Sequence, residues 1–394
     1  MVDIKALADK YEEYIIERRK YYHAHPELPE QEKETRAQIH KDLEALGITD
    51  IRDMEHCYGI VADIHGAKPG KTIAVRADID ALPIKEETGC SYASRNEGKM
   101  HACGHDTHIA MLLGAAKILN DVKDKLCGTV RLLVQPSEEL ATGAKGLVAE
   151  GAVDGVDAVY GAHIMGLMDA GLIDCSVGNR MACCHSFTIT VNGVAAHGSA
   201  PNLGIDAVTV SCAMINNIQQ IVSRQNDPLN PLVITIGTIN GGSRFNVIAN
   251  KVVMEGTVRT FSLGKEVEDA MRKVIEDTAK TFGTTASLEY KYLTPPLINM
   301  DPELNALMKD TVVKLYGEEA IGAFPTMMGS EDFPWYAEDG KRPYYFSIIG
   351  GREPGSESTI SNHHEKFLPE ESALKRGSAV MAQFAFDYLK QNAK

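Results

Sequence analysis

The apolar positions of this 394-residue chain change texture several times along its length. From residue 3 to 47 the pattern is helical, with Leu7, Tyr11, Tyr14, Ile15 and Arg18 recurring on one face. The run H-A-H-P-E-L-P-E interrupts it at Pro26 and Pro29, and a second helix is predicted from Gln31 to Leu46, closed by Gly47. Short apolar runs follow at Gly59–Ile64, Thr72–Val75, Thr129–Val134 and Ala158–Gly161. The last three are rich in Val, Ile and Leu with little alternation, as expected of buried strands in a mostly parallel sheet. The stretch H-G-A-K-P-G-K-T between the first two imitates a phosphate-binding loop but is one residue short. It also leads into a strand where such a loop needs a helix, and it reads as a hairpin turn.

Near Cys183 the period changes to two. H-S-F-T-I-T-V-N-G alternates, followed by a predicted helix Ile205–Ser223, alternating runs Leu232–Ile239 and Val247–Arg259, a helix Lys265–Phe282 and a strand Thr285–Tyr292. That β-α-β-β-α-β order is the ferredoxin-like plan. Thr294-Pro295-Pro296 marks the exit, after which come a helix Asp301–Tyr316, a strand in Y-Y-F-S-I-I-G-G and a C-terminal helix. The expectation is a larger α/β domain, residues 1–182 and 295–394, with a small domain, 183–294, inserted into it. The glycines of G-T-I-N-G-G-S-R-F precede no helix, so they mark a turn between strands and not a dinucleotide site.

Charge narrows the function. A net −14 disfavours nucleic acid and anionic membranes as partners, and no apolar run approaches the ~20 residues of a membrane span. The start M-V-D-I-K-A-L-A-D-K lacks the apolar core of a signal peptide. The eight cysteines follow no spacing pattern and read as reduced thiols of a cytoplasmic protein, with Cys183 and Cys184 buried near a domain boundary.

The candidate chemistry centres on M-H-A-C-G-H-D-T-H, which places His101, Cys103, His105, Asp106 and His108 directly before an apolar helix running to Leu119. In an extended segment Cys103 and His105 face one side together. Thiolate and imidazole suit zinc, and imidazole also suits manganese, nickel or cobalt. Three predicted strands end at further donors, Asp78 and Asp80, Glu138 and Glu139, and His163, where open α/β sheets form their sites. Adjacent side chains diverge, so one of Glu138 and Glu139 can ligate a metal while the other moves a water proton. The bland use of the pair is to cap the next helix. His23 and His25 flank the first helix break without a metal partner nearby and read as structural.

These segments, taken together, resemble the aminoacylase and carboxypeptidase family of di-metal amidohydrolases, in the branch of hippurate hydrolases and auxin-conjugate hydrolases. The matching stretches are H-A-H-P-E-L, R-A-D-I-D-A-L-P, H-A-C-G-H-D, Q-P-S-E-E, G-A-H, A-A-H-G-S-A-P, G-G-S-R-F-N-V-I, G-T-V-R-T-F, G-S-E-D-F and H-H-E-K-F, in order over nearly the whole chain. The resemblance implies a mixed-sheet metallohydrolase domain with helices on both faces and an inserted ferredoxin-like lid and dimerisation domain. It implies two divalent ions, Mn2+ or Zn2+ with Co2+ or Ni2+ as alternatives, held by Cys103, His105, Glu139, His163 and His363, with His364 as the fallback. Glu138 becomes the catalytic base, Asp78 the carboxylate that orients a ligand, and His197 the group that polarises the scissile carbonyl. Asn246 and Arg259 take the substrate's free carboxylate, to which a guanidinium is suited.

The implied reaction is hydrolysis of an N-acyl-L-amino acid to a carboxylic acid and an amino acid, by a homodimer or homotetramer; short peptides are the alternative substrate. Thr107 and Met165-Gly166 depart from the family pattern, the second where the substrate wall is expected. The rival classes are a thiol hydrolase acting through Cys103 and a silent binding protein, the latter disfavoured by the presence of Glu138.

Overall fold

The chain opens with α1 (Ile4–Lys10), α2 (Glu12–Ala24) and α3 (Lys33–Ala45), then β1 (Asp50–Asp53), β2 (Ile60–His65) and β3 (Lys68–Asp78). There follow α4 (His105–Asp121), β4 (Cys127–Gln135), α5 (Gly143–Ala149), β5 (Ala158–Asp169) and β6 (Ile173–Asp174). The middle holds β7 (Gly178–Met181), β8 (Cys183–Asn192), α6 (Ala207–Gln220), β9 (Leu232–Gly241), β10 (Lys251–Thr260), α7 (Lys265–Thr281), β11 (Ala286–Thr294) and β12 (Leu297–Asn299). Last come α8 (Pro302–Tyr316), β13 (Ile321–Gly322), β14 (Tyr344–Arg352) and α9 (Ser372–Gln391). These come from a computed structural model that describes residues 2–337, 340 and 342–393. Two units are present, one of Met1–Gly178, Asn299–Pro325 and Asp332–Lys394, the other of Asn179–Ile298 and Thr326–Glu331.

The first unit is built on a mixed sheet of order β1-β2-β4-β3-β5-β14-β6-β13. Its centre, β4-β3-β5-β14, is parallel, and the β1–β2, β2–β4 and β14–β6 pairs are antiparallel. One face, including Ile73, Val75, Ala77, Leu132, Tyr160 and Ile164, joins a core with α1, α2, α3, α4, α8 and α9. Helix α4 is buried nearly all round, as its apolar sequence demands. The opposite face is covered more thinly. Short α5 and the turn Phe333–Ala337 lie there, and Phe333 sits so close to Gly161 that a Cβ on that glycine would stand 2.6 Å from its ring.

The turn between β2 and β3 is not a hairpin. Strand β4 lies between them, antiparallel to β2 and parallel to β3. The connection wraps the start of β4: Gly66 N–H donates to the Gly128 carbonyl at 2.9 Å, and a Cβ on Gly66 or Gly70 would lie 2.4 Å from the carbonyl oxygen of Leu126 or Cys127. The glycines serve this close approach. Strand β5 also outruns its expected end at Gly161, because β14 pairs with it as far as Asp169 although β3 leaves it at Gly161.

The second unit has the order β8-α6-β9-β10-α7-β11 and an antiparallel sheet β11-β8-β10-β9, the strand order of a ferredoxin-like unit. Val210, Met214 and Ile218 of α6 and Val267, Met271 and Ile275 of α7 fall at helical spacing and pack on Ile189, Val191, Met254 and Val258. The expected run Val247–Arg259 begins as a strand only at Lys251. Its first residues bridge elsewhere, Val247 to His197, with Ile248 N–H donating to the Ala196 carbonyl at 2.9 Å.

Candidate metal centre

Cys103 and His105 do not share an extended segment. Cys103 sits in a turn, Gly104 is left-handed at φ 93°, and His105 is the first residue of α4. Only glycine fits at the corner, since a Cβ there would meet Ile164 at 2.6 Å. His163 comes from the middle of β5, Glu139 from the turn after β4, and His363 from a left-handed residue at φ 70° whose N–H donates to the Ala102 carbonyl at 2.7 Å.

These donors form two groups that share Cys103. Cys103, His105 and His163 make one, and Cys103, Glu139 and His363 the other, with all donor atoms of a group within 4.8 Å of one another. Cys103 Sγ is 3.3 Å from His163 Nε2 and 3.3 Å from His363 Nε2, and His363 Nε2 is 3.4 Å from Glu139 Oε1. Ligands about 2.0–2.3 Å from a tetrahedral ion stand roughly 3.3–3.8 Å from one another, so the spacing is that of a ligand shell. His364 instead accepts from the Lys366 N–H at 3.0 Å.

The tautomers fit the same chemistry. His105 Nδ1 lies 2.8 Å from the Asp80 carbonyl, which can only accept, so Nδ1 carries the proton and Nε2 keeps its lone pair. Buried His105 Nε2 makes no hydrogen bond. His163 repeats the arrangement, donating from Nδ1 to the Ile164 carbonyl at 2.7 Å. His108 is the contrast. Its Nε2 accepts from the Ile164 N–H at 2.9 Å and its Nδ1 donates to Asp78 at 2.5 Å, so no lone pair is left for an ion. A buried polar group this fully engaged is a positioning element.

Charge points the same way. Burial pushes the Cys103 thiol up, as does nearby Glu139. His363 is pushed up to about 10, first by its bond to Cys103 and then by Glu139. Burial disfavours a charged His105, yet Asp78 and Cys103 outweigh it and hold that ring well above its usual value. His105, His363 and Glu139 thus favour positive charge in their midst, which is what a divalent cation supplies, while burial and then His108 hold His163 well below its usual value. Asp78 is held well below the usual carboxylate range, because Arg76, His105 and His108 outweigh the cost of its burial. Arg76 Nη1 donates to it at 2.6 Å.

Asp80, known from the sequence only as a strand-end acid, faces both His105 Nδ1 and the Glu139 N–H, from which it accepts at 3.0 Å. Asn362 was missed altogether. Its amide donates to the Cys103 and Ile164 carbonyls at 2.8 and 3.0 Å, tying the last donor segment to the other two. Its place beside His363 was the only clue. Glu138 is half-buried on the turn that carries Glu139, and at the start of helix α5 the Ala144 N–H donates to Asp332 Oδ2 at 3.0 Å.

The remaining predicted residues lie in the second unit. His197 and Asn246 come together there, the Gly198 N–H donating to the Asn246 carbonyl at 2.9 Å. The Ser199 N–H donates to His197 Nδ1 at 3.2 Å, which puts the ring proton on Nε2. Arg259 donates to Ser330 Oγ at 2.7 Å. Cys183 and Cys184 are buried, as expected.

Comparison with known proteins agrees with this picture. The chain is 39% identical over 383 residues to an N-acetyl-L-cysteine deacetylase of Bacillus subtilis, covering 97% of this chain and 89% of the relative. It is 35% identical to thermostable carboxypeptidase 1 of Saccharolobus solfataricus, with 96% of each chain covered. Its fold superposes with a TM-score of 0.83 on the Bacillus subtilis YxeP protein, a dinuclear metal binding peptidase, at 34% identity over 97% of this chain and 99% of the other. A family model matches residues 74–387, and the chain belongs to peptidase family M20/M25/M40.

Proposed function

We propose that this chain is a metal-dependent amidohydrolase that cleaves N-acyl-L-amino acids, of N-acetyl or N-benzoyl type, into a carboxylic acid and a free amino acid. The observation that carries the reading is the pair of donor groups meeting at Cys103. Cys103, His105, Glu139, His163 and His363 would hold two divalent ions, manganese or zinc, with cobalt and nickel as alternatives. When bound, such ions polarise an amide carbonyl and acidify a nearby water.

The chain's own residues do the rest. Glu138 takes the proton of the attacking water and returns it to the leaving nitrogen. Asp78, fixed by Arg76, steadies the strand that carries His163 through His108, whose Nε2 takes the Ile164 N–H. His197 offers its Nε2–H to the developing oxyanion, and Asn246 and Arg259 hold the free carboxylate. In this reading the inserted 183–294 region is a lid and dimerisation domain, the assembly is a homodimer or homotetramer, and the enzyme works in the cytoplasm. Among the described residues no helix is long and apolar enough to cross a membrane.

The test is a hydrolysis panel of N-acetyl amino acids, N-benzoyl amino acids and dipeptides, run after chelation and after restoring manganese, zinc or cobalt. Activity on N-acyl amino acids that vanishes with the metal and returns with it is expected. Activity that survives chelation would point to a thiol hydrolase, and preference for dipeptides to a peptidase.

A further inference from the structure

The run H-A-H-P-E-L-P-E-Q-E ends at a carboxylate that no step above uses. Glu32 stands at the start of α3, is 0% exposed, and does not cap that helix. Its Oε1 accepts instead from the Ser137 N–H at 2.8 Å and from the Ser137 hydroxyl at 3.1 Å. Ser137 Oγ in turn accepts from the Glu30 N–H at 2.9 Å. Ser137 immediately precedes Glu138 and Glu139.

Ser137 has φ 52°, a left-handed conformation that a serine holds only where its surroundings insist. The turn is pinned on its far side as well, where the Thr142 and Gly143 N–H groups donate to the Ser137 carbonyl at 3.3 and 3.2 Å and a Cβ on Gly143 would lie 1.6 Å from the Pro136 oxygen. Further on, Asp80 takes the Glu139 N–H. Between these anchors the direction of the next two side chains depends on Ser137 keeping its dihedral angles.

We infer that Glu32 is a positioning residue: by clamping Ser137 it aims Glu138 at the attacking water and Glu139 at the ion. The inference rests on the base and ligand roles proposed above for that pair. Its reach is through the backbone, and Glu32 touches no substrate.

Glu32→Ala removes the acceptor, and Glu32→Gln keeps an oxygen in the same place. For Glu32→Ala the expected result is a fall in kcat of ~10²-fold with KM little changed, since a small misplacement of catalytic groups costs that much. Manganese affinity by titration calorimetry should fall as well, and Glu32→Gln should restore most of both. Ser137→Ala should be non-additive with Glu32→Ala, because both break one clamp. A Glu32→Ala protein with a lower thermal midpoint but normal kcat and metal affinity per folded molecule overturns the inference, as does a Glu32→Gln as damaged as the alanine variant. Glu138→Gln run alongside separates the two levels. If it turns over normally, the base assignment itself is wrong; if it is inactive while Glu32→Ala is normal, only the clamp is.

Discussion

Cys103 is the side chain common to both donor groups, so its loss should disturb both ions and not one. Cys103→Ala is expected to lose metal and activity together, and Glu139→Gln to lose occupancy in part, because each removes a donor that alanine or an amide does not replace. Glu138→Gln should keep its metal and lose at least ~10²-fold in turnover, the worth of a general base. Metal analysis of the three purified variants beside their kinetics decides it: full occupancy in Cys103→Ala removes that residue from the shell, and normal turnover in Glu138→Gln ends its role as base. The nearness of Cys103, His105, His163 and the Glu138–Glu139 pair was readable from residues at predicted strand ends, whereas Glu139 over Glu138 and the choice of His363 came only with the family resemblance. Their partners were not. His108 sits in the same motif as His105 and differs only in what its nitrogens face, and Glu32 and Asn362 act through contacts across long stretches of chain that no local pattern encodes.

Helix α2 carries a second buried charge system. His23 lies between two carboxylates, Nδ1 at 2.8 Å from Asp106 and Nε2 at 3.1 Å from Glu86. Burial opposes its charge, but these partners win and push it up to about 9, while Glu86 is held down at about 2, its bonds from His23, Thr88 and the Ser94 N–H together outweighing burial. A raised histidine contributes stability fully present below its unfolded value near 6.5 and lost as pH rises through about 9. The amount is on the order of 3 kcal/mol. Denaturant midpoints should therefore fall for the wild type between pH 6 and pH 9.5 by more than for His23→Gln; parallel curves would show that His23 carries no such charge. The elements were otherwise largely legible: α2, α3, β8 and α7 lie close to where periodicity put them. Two of the misread ones share a cause. Whether β2 pairs with β3, and how far β5 runs, is decided by β4 and β14, which arrive later in the chain.

At the scale of the molecule, the proposed chemistry takes His197 from the second unit. Its Nε2–H is directed by the bond that Ser199 gives to Nδ1. His197→Ala is expected to keep metal content and thermal midpoint, and to lose ~10²–10³-fold in turnover with little change in KM, as for one oxyanion donor. A variant that is less stable yet normally active per folded molecule would leave the histidine a structural part of its turn. Activity recovered on mixing inactive His197→Ala and Glu138→Gln subunits would mean that the histidine works across a dimer. The placement of β4 has a different consequence, for synthesis. When β2 and β3 have been made, the strand that belongs between them has not, and the sheet also waits for β14 and the core for α9. The second unit has nearly all of its chain once residue 298 is complete. The middle of the protein can thus be folded while the first sheet is still incomplete, and a ribosome-bound chain exposes the unfinished edge of β5 until β14 is added.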